Sequence, residues 1–175
     1  EEQHARARNA PVYAELLGCG ASGRGYTDPS GNAETGIEGM AAAMKAALAN
    51  AHCSPPAIDY IGCHGVSDPQ LDEWETAAYK KVFGEHAYRI PMSSVKALVG
   101  IPQNAAAMLQ LISALMAVKT HVLPPTMNYE TPDPACDLDY IPNRPRRNVI
   151  TRCLVLAHGF NGSDAAVVVG RYDGH

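Results

Sequence analysis

Apolar residues along this chain recur at two spacings, and the switches between them mark its elements. Residues 12–19 read as a strand, set off by Pro11 from a charged helical opening, Glu1-Glu2-Gln3-His4-Ala5-Arg6-Ala7-Arg8. A chain that begins inside a helix predicts a further portion upstream. Residues 18–36, rich in Gly, Ser, Asp and Pro, read as loop. Ile37, Met40, Met44, Ala47, Leu48 and Ala51 then fall at helical spacing and predict a helix over 36–53, ended by Pro55-Pro56. A short apolar strand over 58–63 follows, then a helix from Pro69 to Phe83 stopped by Gly84. Residues 88–92 read as a strand. Ile101-Pro102 opens a helix to about Lys119, apolar nearly all round and so expected to be buried on most faces. Residues 122–136, punctuated by Pro124, Pro125, Asn128, Pro132 and Pro134, read as extended loop. Two apolar strands, 148–157 and 165–171, close the chain; their short connection predicts an antiparallel pair.

The predicted order, β-α-β-α-β-α-β-β, gives an α/β layer architecture with a mixed sheet, in a single domain spanning residues 1–175. Hydrophobic residues make up 46% and the net charge is −4, so nothing in the composition points to nucleic acid. The basic cluster Arg144, Arg146 and Arg147 reads as solvated loop, with a patch for an acidic carrier protein as the sharper alternative. No apolar run approaches the roughly 20 residues of a membrane helix, and no signal peptide opens the chain. The five cysteines are odd in number and form no CxxC pair, which argues against a disulfide framework and a structural zinc. They are read as buried small hydrophobes in a reducing, cytoplasmic setting.

The candidate chemistry lies just beyond the strands. Cys63-His64-Gly65-Val66 ends the strand at 58–63, placing an imidazole at the carboxyl edge where open α/β sheets gather their sites. A histidine there exchanges protons near neutral pH or donates to an oxyanion. Lys96 lies among Val95, Ala97, Leu98 and Val99, a setting for a partly buried ammonium with a defined partner. Asp72 and Glu75 share one face of the intervening helix, and one of them is expected to pair with Lys96. A third loop, 158–164, carries His158 and Phe160.

These motifs together resemble the C-terminal half of a β-ketoacyl-acyl-carrier-protein synthase. The resemblance rests on His64-Gly65, Asp72-x-x-Glu75-Thr76-Ala77, Ser93-Ser94-x-Lys96 and Gly159-Phe160-x-Gly162. Two connecting stretches agree, Leu123-Pro124-Pro125-Thr126-x-Asn128 and Cys136-Asp137-Leu138-Asp139-Tyr140-Ile141-Pro142. It implies a thiolase-like fold of two similar α/β halves, of which this chain is the second. The nucleophilic cysteine of such enzymes belongs to the first half, so none is expected here. His64 would stabilise the thioester oxyanion, Lys96 would hold the site's electrostatics with Glu75 as its partner and Asp72 nearby, and Phe160 would gate acyl entry. No metal and no cofactor is implied; the substrate arm would be the phosphopantetheine of an acyl carrier protein. The expected partners are that carrier protein and a chain carrying the first half, in a hetero- or homo-oligomer.

The departures from the family pattern are as informative. His-Gly-Thr-x-Thr is here His64-Gly65-Val66-Ser67-Asp68, so Val66 and Asp68 replace two hydroxyls that bond the substrate arm. Lys-Ser-x-x-Gly-His is here Lys96-Ala97-Leu98-Val99-Gly100-Ile101, and Ile101 stands at the second catalytic histidine. An isoleucine offers no donor to the enolate of a decarboxylating malonyl thioester. His158 could supply an imidazole from the next loop. Three functions stay open: a condensation-impaired, chain-length-factor-type subunit of polyketide or fatty-acid biosynthesis, an active divergent acyl-transferring enzyme, and a non-enzymatic scaffold.

Overall fold

Asp59 shows how the sheet is assembled, because its carboxylate ties one strand's start to another's. Its Oδ2 accepts the Thr151 and Arg152 N–H groups at 2.8 and 2.9 Å and the Thr151 hydroxyl at 2.6 Å. The computed structural model that shows this describes residues 2–23, 32–159 and 162–174. Its elements are α1 (Glu2–Ala7), β1 (Glu15–Ser22), α2 (Ala33–Asn50), β2 (Tyr60–Gly62), α3 (Pro69–Phe83) and β3 (Met92–Ser93). They continue with α4 (Lys96–Val99), α5 (Ala106–Thr120), β4 (Val122–Leu123), β5 (Arg146–Arg147), β6 (Arg152–His158) and β7 (Asp164–Gly170).

Five strands form a mixed sheet in the order β1-β7-β6-β2-β3. β2 runs parallel to β3 and β6, whereas β7 is antiparallel to β6 and β1. The strands at its centre are apolar on both faces because helices cover both. Met40, Met44, Ala78, Tyr79 and Phe83 of α2 and α3 pack with Ile61, Leu154 and Leu156 on one side. Ala114, Ala117 and Val118 of α5 pack with Tyr60, Cys153 and Val155 on the other. The mixed α/β architecture and the β6–β7 antiparallel pair agree with the sequence reading.

Several boundaries move, each for a local reason. Asn32 caps α2 by accepting the Glu34 N–H at 3.0 Å, so that helix starts three residues before the predicted position 36. Residues Gly84–Arg89, whose last two were read as strand, form a 3₁₀ turn; β3 is only Met92–Ser93. Pro102 and a 3₁₀ turn at Gln103–Ala105 delay α5 to Ala106, and Lys96–Val99 form a separate short helix. Val122–Leu123, read as loop, pairs with Arg146–Arg147 in a second, two-stranded sheet.

Two expectations of burial are corrected. The apolar helix α5 is buried on one face only: Met108, Ile112 and Met116, four residues apart each time, are 57%, 47% and 41% exposed. Of the cysteines, Cys63 and Cys153 are buried, Cys53 and Cys136 are half-buried, and Cys19 is exposed. Among the described residues no helix is long and apolar enough to cross a membrane.

Gln110 links α5 to the loop that follows β3. Its Oε1 accepts the Val95 N–H at 3.0 Å, and its Nε2 donates to Ser93 O at 3.3 Å, all out of contact with water. It fits because Gly62 faces it without a side chain: a Cβ there would lie 2.7 Å from Gln110 Nε2. Gln110→Leu strands a buried donor and a buried acceptor and is expected to cost on the order of 2 kcal/mol, read as a lower denaturant midpoint.

Candidate functional site

Three acidic side chains in the first turns of α3 fold back onto the residues that lead into the helix. Asp68 is the N-cap, accepting the Leu71 N–H at 2.9 Å, with Pro69 in the first turn. Asp72 accepts the Val66 N–H at 3.2 Å. Glu75, buried one turn on, accepts the N–H groups of His64 and Gly65 at 2.6 and 2.8 Å and the Tyr79 hydroxyl. The turn carrying His64 is therefore hung from the helix that follows it.

The carbonyl side of the same turn is held by the loop after β3. Lys96 Nζ donates to His64 O, and Ser94 Oγ donates to Gly65 O at 2.8 Å. Gly65 has a φ of +35°, and a Cβ on it would lie 2.8 Å from the Ser94 Cβ, so conformation and close approach both demand glycine. Lys96 is buried as expected, but its bonding partner is the His64 carbonyl rather than a carboxylate. Burial lowers the Lys96 pKa; the nearby Glu75 charge is the main effect opposing it. Burial likewise raises Glu75, against the Tyr79 hydroxyl and the two backbone donors that favour its carboxylate.

The His64 imidazole faces β6. Its Nδ1 lies 3.2 Å from the His158 N–H and accepts from it. An accepting Nδ1 places the ring proton on Nε2, so the free edge of His64 is a donor. Burial, Lys96 and His158 lower its pKa to about 3. His64 is thus a neutral donor over the whole physiological range.

His158 sits directly across the hairpin from Asp164 in the β6–β7 register. Its Nδ1 is 2.7 Å from Asp164 Oδ1, and the two side chains are 6% and 0% exposed. The His64 and His158 rings meet edge-on with centroids 5.8 Å apart.

A cavity of about 220 Å³ borders the turn at Gly65. Val66, Asp72, Glu75, Lys96 and Ile101 line it, together with Ser94; His64 and His158 do not. Asp68, expected at the substrate arm, is an exposed helix cap outside the lining. Phe160, the expected gate, lies outside the described residues. Cys63 lines the cavity too, but burial raises its thiol pKa well above the ordinary value, so it carries no reactive thiolate. Among the described residues no group of three or more His, Cys, Asp and Glu is placed to hold a metal.

Sequence reasoning gave no role to Tyr79, Ser94, Gln110 or Asp164. Tyr79 stood four residues from Glu75, a helical neighbour. Asp164 stood six residues from His158 across a predicted hairpin. Gln110, a lone polar residue in an apolar helix, was the most visible signal.

Comparison with known proteins places this geometry. Residues 13–130 match the family model of the β-ketoacyl synthase C-terminal domain. A putative polyketide beta-ketoacyl synthase 1 of Streptomyces halstedii is 44% identical over 169 residues, covering 97% of this chain and 40% of that protein. The 3-oxoacyl-[acyl-carrier-protein] synthase 2 of Coxiella burnetii is 40% identical over 173 residues, covering 98% and 41%. Among solved structures, a type II polyketide synthase acyl carrier protein in complex with its ketosynthase, bound to the hexaketide, aligns with a TM-score of 0.90. That match has 38% identity and covers 98% of this chain and 41% of the other. The ishigamide ketosynthase/chain length factor aligns with a TM-score of 0.88 at 30% identity, covering 97% and 41%. This chain spans about two fifths of the length of the curated relatives it matches.

The depressed His64 pKa has a signed consequence for stability. Between about pH 3 and about pH 6.5 the unfolded chain protonates this histidine and the folded one does not. The unfolded state then binds more protons, so this residue's contribution to stability falls as pH falls through that window. His64→Asn removes the dependence. Urea titrations near neutrality and near pH 4.5 are expected to show wild type losing ground to the variant at the lower pH.

Proposed function

We propose that this chain, which belongs to the β-ketoacyl synthase family through its C-terminal domain, polarises acyl thioesters in a site impaired for condensation. The observation that carries the reading is the state of His64: neutral, its Nδ1 engaged by a backbone N–H and its Nε2–H free to donate. Such a donor stabilises the oxyanion of a thioester under attack by a thiol. Lys96, Glu75 and Asp72 hold the turn that aims it. Transfer of an acyl group between thiols needs a nucleophile and an oxyanion site but no enolate donor. Val66 and Ile101 supply no such donor where the family pattern carries a hydroxyl and an imidazole, and this favours transfer over decarboxylative condensation.

The nucleophile in this reading is a cysteine of the first half, and the acyl donor arrives on the phosphopantetheine arm of an acyl carrier protein. A carrier protein in complex with its ketosynthase is the subject of one similar structure, and this supports the partner. The first half is proposed to cover the apolar surface formed by Met108, Ile112 and Met116 with Leu98, Val99 and Ile101, all substantially exposed in this chain. Loss of donors at Val66 and Ile101 also supports a second reading, a chain-length-factor-type subunit that shapes a partner ketosynthase's product.

With the complete protein, acyl loading from a carrier-bound thioester is expected to proceed while a malonyl thioester releases no carbon dioxide above background. Normal chain elongation would overturn the reading. His64→Ala is expected to lower acyl transfer roughly 100-fold or more; unchanged transfer with intact assembly would leave the chain a scaffold. Ile112→Glu is expected to abolish co-purification with the first half when the two are expressed as separate chains.

A further inference from the structure

The two imidazoles at this edge of the sheet are wired with opposite polarity. His64 accepts at Nδ1 and presents a donor at Nε2. His158 gives its Nδ1 to a carboxylate, Asp164, at 2.7 Å. A carboxylate cannot donate, so His158 Nδ1 carries the proton and Nε2 of the neutral ring presents a lone pair. The pairing is favoured by the fold: His158 and Asp164 are register partners at the mouth of the β6–β7 hairpin, and both side chains are almost fully buried. Among the described residues no hydrogen bond engages His158 Nε2, and that atom is not one of the fully buried polar atoms left without a partner.

Asp164 adds an independent sign of function. Its Oδ2 is the fully buried side-chain polar atom that finds no partner among the described residues. An aspartate kept in that state is costly for stability alone. Among the described residues the charged and titratable groups around His158 are few. Asp164 faces it from β7 and His64 from the turn after β2, with Lys96 acting on His64 from beyond. The α2 side of the hairpin presents Met40, Ala43, Met44 and Ala47, all apolar.

We propose that His158, held by Asp164, is the proton-accepting group of this site and works opposite the donor His64. The proposal rests on the acyl-transfer reading and deepens it by assigning the base. As an acceptor thiol attacks the thioester carbonyl, its proton passes to His158 Nε2 while the new C–S bond forms. His64 Nε2–H stabilises the oxyanion. When the intermediate collapses, the bond to the departing sulfur breaks and His158 returns the proton to that sulfur. Atoms and charge balance, and no oxidant or reductant is involved. Asp164 is a positioning residue: it fixes the tautomer and orientation of the base.

The test uses the complete protein, including the half that carries the nucleophile, with an acyl-pantetheine thioester as donor and a free thiol as acceptor. His158→Gln is expected to lower kcat roughly 100-fold with little change in KM. His158→Ala is expected to regain activity when imidazole is added, which a merely structural role would not allow. Asp164→Asn is expected to lower kcat rather than raise KM and to remove the downfield imidazole N–H signal of His158 in proton NMR. If His158→Gln retains wild-type kcat while His64→Ala is impaired, the base assignment is wrong and the acyl-transfer reading stands. Full activity in both variants would overturn the two together. A folded His158→Ala that imidazole fails to restore also counts against the base.

Discussion

The Glu75 carboxylate is the interaction on which the rest of the site depends. A carboxylate taken out of water costs several kcal/mol unless its lone pairs are met by donors. Here those donors are two successive backbone N–H groups, from His64 and Gly65, and the Tyr79 hydroxyl from the next turn of the same helix. The carbonyl oxygens of the same two residues are taken by Lys96 and Ser94 from the neighbouring loop. The backbone of His64 and Gly65 is thus gripped on both edges, by a helix on one side and a loop on the other. Neither grip stands alone. Glu75 is placed by α3, whose start is set by Asp68 and Pro69. The Lys96 loop is placed by Gln110, reaching from α5.

What this frame delivers is an imidazole in one protonation state and one orientation. With its backbone fixed, His64 reaches β6 and accepts the His158 N–H. Its pKa, lowered to about 3, keeps the ring a neutral donor rather than a cation. A neutral donor suits an oxyanion that forms and collapses, because it need not surrender its proton. Nearby, Val66 and Ile101 bring apolar side chains to the cavity, and His158 and Asp164 pair with each other across the hairpin. The turn that carries His64 is held by hydrogen bonds on both of its edges.

Much of this was legible in the chain. The strand-to-helix break at Cys63-His64-Gly65, the helix opened by Pro69 and the closing hairpin all follow from hydrophobic period and turn residues, which act locally. The resemblance to a ketosynthase C-terminal half, carried by short motifs in order, agrees with the family match over residues 13–130. What escaped depended on long-range geometry. Lys96 was paired with a carboxylate because charge complementarity is visible in a sequence, and the His64 carbonyl that it meets is not. The helix-capping role of Asp68, which accepts the Leu71 N–H, went unread because its place in a motif drew attention first. The apolar composition of α5 implied burial all round, yet only its Ala114, Ala117 and Val118 face meets the sheet. The pairing of residues 122–123 with 146–147 joins segments more than twenty residues apart with no shared pattern.

The central claim is the state of His64, and imidazole nitrogen NMR reports it directly. In protein labelled at histidine nitrogen, the account predicts a proton on Nε2, an accepting Nδ1, and no change in either signal between about pH 8 and about pH 5. Protonation of both nitrogens near the ordinary histidine pKa of about 6.5, or a proton found on Nδ1, would contradict it.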